Sequence, residues 1–461
     1  MFAEVAVDTY QDPSRKIFTY RIPEELTAKA QEGAKVLVPF GKRTAEGYIF
    51  KLKKVRPSFP TREIKEVKGR TLTQAQVRLA QWMSEYYFAP PLDCIKCQLP
   101  GKGQRYREGE QSEIKTLILV PYAAQVRIKA LELNRNERRT TLIGSRSAIF
   151  TPLPNLKEII IEEPENWTYK EERSPYYHAK DVAQKRAELE GLKLELRYLI
   201  PRVEDLPSSK KGPLSSNLSG LQIQIIDMQK EREAGNFSPL GKNLTAVIRQ
   251  QKPVLTLVNS KEAKEQVRQA IKEQNLDANR TEIAGTEVFS QIGKKYAAVA
   301  IIDADTLFNL PDFRAHEKLV TTIAKLAQLT NGSVYIQTSN TLHPIFEELK
   351  TGNLGSFYQR ELETRKPFLY PPFGTLAKLE FSAKKMAKVE EEAGKLYQKL
   401  SEISDRGSGL SISPPYPPYS RSRGKAQLNI AVKAKRHQDL AKILACVPCT
   451  WRIIVEPESL L

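Results

Sequence analysis

Sulfur, imidazole and indole are scarce in this 461-residue chain, which has four cysteines, four methionines, four histidines and three tryptophans. Four cysteines cannot build the dense disulfide framework of a small secreted domain. They fall as Cys94-x-x-Cys97 and Cys446-x-x-Cys449, at opposite ends of the chain. A structural zinc module gathers its thiolates within a short stretch, so zinc is not expected and reduced thiols are. The scattered histidines (His178, His316, His343, His437) suggest no ligand set. No apolar run approaches the roughly 18 residues of a membrane span. The opening MFAEVAVDTYQD lacks the basic and apolar regions of a signal peptide. A soluble, cytoplasmic protein is expected. Also missing is G-x-x-x-x-G-K-[ST], whose backbone N–H groups cradle phosphates and whose hydroxyl meets Mg²⁺. Every Gly-Lys pair precedes some other residue, as in Gly101-Lys102-Gly103. Carboxylates, finally, are outnumbered: 54 Asp and Glu face 72 Lys and Arg, a net charge of +18. That surplus favours a polyanionic partner, nucleic acid before an anionic membrane.

The stretches AEVAVD, KIFTYRI, KVLVPFGKR and GYIFKLKKV alternate as half-buried strands do, with Gly41 and Gly47 placed for tight turns. QVRLAQWMSEYYFAPPLD follows as a helical stretch. Residues 101–113 and 203–220 carry the composition of linkers. Between them, Ile159-Ile160-Ile161 reads as a core strand ending on Glu162 and Glu163. Nucleotide-hydrolysing α/β folds hold Mg²⁺ on such an acidic pair, although acidic residues close many strands. Strands over 223–228 and 254–258 open a second α/β lobe. Further on, Tyr416 and Tyr419 interleave with Arg421, Arg423 and Lys425, a pattern suited to single-stranded nucleic acid or an acidic peptide tail.

Several blocks resemble the replication-restart helicase family of primosomal protein N′ (PriA). Around the acidic pair these are Gly144-Ser145-Arg146-Ser147-Ala148, Tyr169-Lys170 and Tyr177-His178-Ala179-Lys180-Asp181. Nearer the start, the run from Val36 to Arg43 and the helix with Trp82-Met83 and Tyr86-Tyr87 are similar to the family's amino-terminal domain, which binds the 3′ end of a nascent strand. The resemblance places the 3′-end pocket on Phe18 as stacking aromatic, Gly41 as close-approach residue and Lys65 as cation, flanked by Lys42 and Arg43. Thr19 stands where the family has an acidic residue. Leu117–Pro121, Asp227-Met228, Asn259, Asp303-Ala304-Asp305 and Leu310 to Ala315 match motor-lobe landmarks. Asp303 and Asp305 are read as closing a strand and positioning a loop. Arg365, Tyr370-Pro371-Pro372-Phe373 and WRIIVEPESLL match the carboxy-terminal domain.

The departures from the family form a set. The acidic box reads Glu162-Glu163-Pro164-Glu165; the run Lys325 to Thr330 keeps a Gln but no arginine; and Asn259-Ser260-Lys261-Glu262 has lost its arginines. Also absent are the family's winged helix, phosphate loop and cysteine-rich zinc insertion. The resemblance thus implies a multidomain α/β protein with a small β-rich DNA-binding domain (1–105) and two degenerate superfamily-2 (RecA-like) lobes (106–205 and 221–352). A linker at 206–220 and an α+β carboxy-terminal domain (353–461) complete it. The expected function is binding of forks or 3′ ends in replication restart, without ATP-driven unwinding and with no cofactor. Single-stranded DNA-binding protein and other primosome proteins are the expected protein partners. The alternative is a working ATP- and Mg²⁺-dependent 3′-to-5′ helicase with divergent motifs.

Overall fold

The structure, a computed structural model, describes residues 1–8, 17–99, 110–206, 222–251, 253–291, 293–404, 409–419 and 424–461. The chain divides into two compact units. One joins Met1–Arg197 to Gly374–Glu458; the other is Tyr198–Phe373 with Ser459–Leu461.

The first unit opens with β1 (Phe2–Val7), β2 (Phe18–Arg21), β3 (Ala34–Phe40), β4 (Arg43–Lys53) and β5 (Glu66–Arg70). They form one antiparallel sheet in the order β2-β1-β4-β3-β5. The backbone then closes the sheet on itself. Arg21 N donates to Arg62 O, Ile64 N to Arg21 O and Lys65 N to Leu37 O, at 2.9, 3.0 and 2.9 Å. The segment before β5 thereby links β2 to β3 and curls the sheet into a small barrel. Alternate side chains, among them Val5, Tyr20, Val36, Val38, Ile49 and Ile64, fill its inside. Gly41 sits in the turn between β3 and β4 at φ +59°, as expected. Gly47 does not turn; it lies within β4, where a Cβ would come within 2.7 Å of Val5 Cγ1 and 2.9 Å of Ala6 O. Close approach of β1 explains that glycine.

Next come β6 (Thr116–Leu119), β7 (Thr141–Gly144), β8 (Glu158–Glu162) and β9 (Lys193–Arg197), a parallel sheet in the order β7-β6-β8-β9. Ile159 and Ile161 are buried on one face and Ile160 on the other, so the isoleucine run is a strand covered on both sides.

The second unit is built on β10 (Ile223–Asp227), β11 (Val254–Leu257), β12 (Thr281–Ala284), β13 (Tyr296–Ile301) and β14 (Thr330–Thr338). This sheet is parallel, ordered β10-β14-β13-β11-β12, with an apolar cluster on each face. The first unit then resumes with β15 (Thr375–Ala383), β16 (Leu410–Ile412), β17 (Ala426–Ala434) and β18 (Arg452–Val455), antiparallel in the order β16-β17-β15-β18. Helices Met386–Ser404 and His437–Leu444 pack on it.

The boundaries differ from those expected in two places. The helix Gly355–Arg365 belongs to the second unit, because Arg365 ends inside that unit's charged core. Residues 203–205, expected in a linker or lobe end, form a short helical turn anchored by the buried Val203 that delivers Glu204 to the same place. The remaining linker residues, 207–220, and the linker at 101–109 lie outside the described residues.

Candidate nucleic-acid interface

The barrel brings most of the expected pocket together. Phe18, at the start of β2, meets Phe40 edge-on with ring centroids 5.1 Å apart. Phe40 precedes Gly41, whose missing Cβ would touch nothing within 4 Å, leaving open space above the turn. Arg62 Nη1 donates to Gly41 O at 2.7 Å, and Lys65 Nζ donates to Thr44 Oγ1 at 3.0 Å. Lys42, Arg43 and Lys65 are exposed. A half-buried aromatic, an accessible glycine and a ring of cations therefore share one end of the barrel. Such a site can stack a base, admit a sugar against the backbone and neutralise phosphate. Thr19 is placed differently. It pairs with Glu4, and the two-residue period of β2 turns its side chain to the face opposite Phe18. Arg62 and Thr44 were not singled out from sequence, and Phe40 only as part of the run from Val36 to Arg43; the closure that aligns them joins residues some twenty to forty positions apart.

The acidic box lies where expected, at the C-terminal end of β8, but its carboxylates are engaged. Glu162 Oε1 is 3.0 Å from both Lys129 Nζ and Arg197 Nη1. Glu163 turns away at φ +49° and accepts from Asn166 Nδ2 at 3.3 Å. These residues do not fit a Mg²⁺ site, because the leading carboxylate is already balanced by two cations. Among the described residues no group of three or more His, Cys, Asp or Glu is placed to hold a metal ion. Burial pushes the Cys94 and Cys97 thiols up, Cys97 to about 12, which disfavours the thiolates a metal would need.

The other matched motifs of the first unit hold each other. Arg146 Nη1 donates to Thr168 O and Lys170 O at 2.8 and 2.6 Å. Lys170 Nζ in turn reaches Val455 O at 2.6 Å and lies 5.2 Å from the Tyr87 ring. The buried Tyr87 hydroxyl donates to Asp181 and accepts from His178 N. His178 caps the helix Ala179–Glu190 and lies 3.6 Å from Glu458.

In the second unit, Asp303 caps a helix and Asp305 accepts from Thr338 Oγ1 and Ser339 N. Both carboxylates position loops. A cavity of about 650 Å³ lies beside them, walled also by Glu273; among the described residues lining it, Arg232 is the cation, a poor balance for phosphates. Lys325 lies over the Phe289 ring, 5.9 Å from its centroid. Phe313 stacks on Tyr370 at 4.6 Å and 5°. Around that stack Arg202, Arg314 and Arg365 interleave with Glu204, Glu317 and Glu361. Burial pushes Glu204 up, but Arg314, Arg202 and Arg365 outweigh it and hold its carboxyl well below the usual range. In the carboxy-terminal sheet Tyr416 bridges to Asn429, whereas Tyr419 is 68% exposed and Lys425, six residues further on, is also exposed. Arg421 and Arg423 lie outside the described residues. Among the described residues no helix is long and apolar enough to cross a membrane.

A family model described as the 3′ DNA-binding domain (3′BD) matches residues 4–100, the stretch that contains the barrel. The replication restart protein PriA of Bacillus subtilis (strain 168) is 24% identical over 418 residues, covering 68% of this chain and 52% of that protein. Those of Synechocystis (24%, 51% of this chain, 42% of that protein) and Rickettsia conorii (22%, 70% and 67%) are also similar. The chain spans about half the length of the first curated relatives it matches. The solved yeast DEAD-box splicing factor Prp28 aligns over 54% of this chain and 68% of that chain at 9% identity, with a TM-score of 0.17 too low to bear on the fold. The sequence blocks, the match to the 3′ DNA-binding domain and these relatives point the same way: the chain is similar to replication restart proteins PriA over 51–68% of its length.

Proposed function

We propose that this chain is a DNA-binding replication-restart protein that recognises forks or 3′ ends and does not unwind DNA at the expense of ATP. The observation that carries the reading is the meeting of Phe18, Gly41, Arg62 and Lys65 at one end of a barrel that matches a 3′ DNA-binding domain. The net charge of +18 supports a polyanionic ligand. The engaged state of Glu162 and the missing phosphate loop support the absence of a motor. Tyr416, Tyr419 and Lys425 offer a second contact for single-stranded DNA or for an acidic tail of a partner, single-stranded DNA-binding protein among them. The protein acts in the cytoplasm and needs no cofactor.

The test is anisotropy titration with forked DNA ending in a 3′-hydroxyl or a 3′-phosphate, at two salt concentrations. Tighter binding to the hydroxyl end, weakening steeply with salt, is expected. Equal binding to both ends removes end recognition, and no binding at low salt removes the DNA reading. DNA-stimulated ATP hydrolysis would establish the working helicase instead.

A further inference from the structure

The segment from Lys51 to Arg62, KLKKVRPSFPTR, carries five cations and no carboxylate. It runs from the end of β4 to the residue that reaches Gly41 O. Lys53 is paired with Glu4. Among the described residues no carboxylate lies within ion-pair distance of Lys51, Lys54 or Arg56. Phe59 is 55% exposed and Val55 80% exposed, so the loop presents large apolar groups to water between unpaired cations. Neither residue contributes to the barrel core. An exposed phenylalanine flanked by cations costs solvation and adds nothing to that core. The arrangement is what a single-stranded nucleic acid uses: cations along its phosphates and an aromatic face for a base.

Position argues for the same occupant. Arg62 ends the segment within hydrogen-bond reach of the turn carrying Gly41, and Phe18 meets the residue before that turn. A strand whose last nucleotide sits at Phe18 and Gly41 must continue in its 5′ direction across a neighbouring surface. The cation-rich segment is contiguous with the pocket through Arg62, and its charge is complementary.

We infer that Lys51–Arg62 is a second DNA contact, a track for the nucleotides preceding the 3′ terminus, with Phe59 as its stacking platform and Lys54, Arg56 and Arg62 as its phosphate contacts. The inference rests on the 3′-end reading above and extends it from one nucleotide to a run of several. End recognition would then require single-stranded DNA of more than minimal length. A blocked or base-paired stretch just upstream of the terminus would weaken binding even with a perfect 3′-hydroxyl.

The experiment is an abasic scan. Single-stranded oligonucleotides ending in a 3′-hydroxyl carry one abasic position, moved stepwise from the terminus through the roughly 4–16 nucleotides that a small barrel covers. Affinities are measured by anisotropy for the wild-type chain, Phe59→Ala, Lys54→Gln/Arg56→Gln and Phe18→Ala. Wild type should lose affinity at two positions, the terminus and one upstream, each by roughly 5- to 100-fold. Phe59→Ala should abolish the upstream loss and keep the terminal one; Phe18→Ala should do the reverse. Lys54→Gln/Arg56→Gln should lower the salt slope by about 1.4, two contacts at about 0.7 each. All three changes at 54, 56 and 59 are at exposed positions, and unchanged circular dichroism confirms the fold. A single terminal loss, or an upstream loss that persists in Phe59→Ala, overturns the track while leaving the pocket. An upstream loss alone in the wild type, with none at the terminus, overturns the pocket instead. Wild-type insensitivity to every abasic position overturns both.

Discussion

Replacing Arg365 by methionine tests the charged core of the second unit. Arg365 is 1% exposed, and its guanidinium reaches Glu317 at 2.5 Å, Glu204 at 3.3 Å and Glu361 at 3.4 Å. It also lies 5.5 Å from the Phe313 ring. With three arginines and three glutamates the cluster is balanced; the substitution leaves one buried carboxylate without a counter-charge. Breaking a buried pair from one side costs about 3–5 kcal/mol. At about 2–4 °C per kcal/mol for a unit of this size, the midpoint should fall by roughly 6–20 °C. All three tryptophans, Trp82, Trp167 and Trp451, lie in the first unit. Far-UV circular dichroism therefore follows both units, whereas tryptophan fluorescence follows the first alone, and only the dichroism transition should move. The double change Arg365→Met/Glu317→Gln should recover most of the loss. Burial and Glu204 push the Glu317 carboxyl up, against the pull of Arg314 and Arg365. Without Arg365 that upward push is less opposed, so the variant's deficit should shrink as acid protonates Glu317. An Arg365→Met midpoint within about 0.5 kcal/mol of wild type, the scatter of an ordinary surface change, would refute the reasoning.

Phe18→Ala should weaken binding of a 3′-hydroxyl oligonucleotide by about 1–3 kcal/mol, the worth of one stacked base; unchanged affinity in an anisotropy titration would remove Phe18 from the pocket. Acid should destabilise the second unit of the wild-type chain. The folded carboxyl of Glu204 lies below its unfolded value, so its contribution is full above about pH 4.3 and fades as pH falls through the lowered folded value. Denaturant midpoints by dichroism at pH 7, 4 and 3 read this, and a flat profile would contradict it. Glu162→Gln should change stability by less than about 1 kcal/mol, since its pairs with Lys129 and Arg197 are partly solvated, and should leave DNA binding intact. An ATPase activity in the wild type that Glu162→Gln abolishes would restore the motor. Cys449, exposed, should react with a thiol reagent at pH 8 well before Cys94 and Cys97, whose thiols burial pushes up; equal rates would show the first unit opening readily.

Strand periodicity located β1 to β4, β8, β10 and β11, because each alternates against one core or is apolar across two. It missed β5, whose EVKGR is polar and is held by pairing to β3 rather than by burial of its own. It assigned Gly47 to a turn because a glycine between polar residues looks the same whether it bends the chain or admits a neighbouring strand. The distinction lies in Val5, forty-two positions away. Phe18, Gly41 and Lys65 were singled out through resemblance alone, and Lys65 would otherwise read as one exposed lysine among many. Arg62 carried no signal; its role appears only when the closing segment runs beside β2. The domain edge at 353 slipped for a similar reason. A cation such as Arg365 in an amphipathic helix looks solvated until Glu204 and Glu317 come to meet it.

What the matched motifs touch separates them into two groups. Arg146, Tyr169-Lys170, His178 and Asp181 flank an acidic box, yet their side chains bind backbone carbonyls, a buried tyrosine and one another. Lys170 ties this knot to Val455, and Tyr87 ties it to the helix that follows the barrel. One apolar core runs from that helix through the parallel sheet to the carboxy-terminal sheet. These residues would be needed whether or not a nucleotide ever bound. The residues that would serve only a nucleotide, the glycine-rich loop and the arginines after Gln328, are the ones the chain lacks.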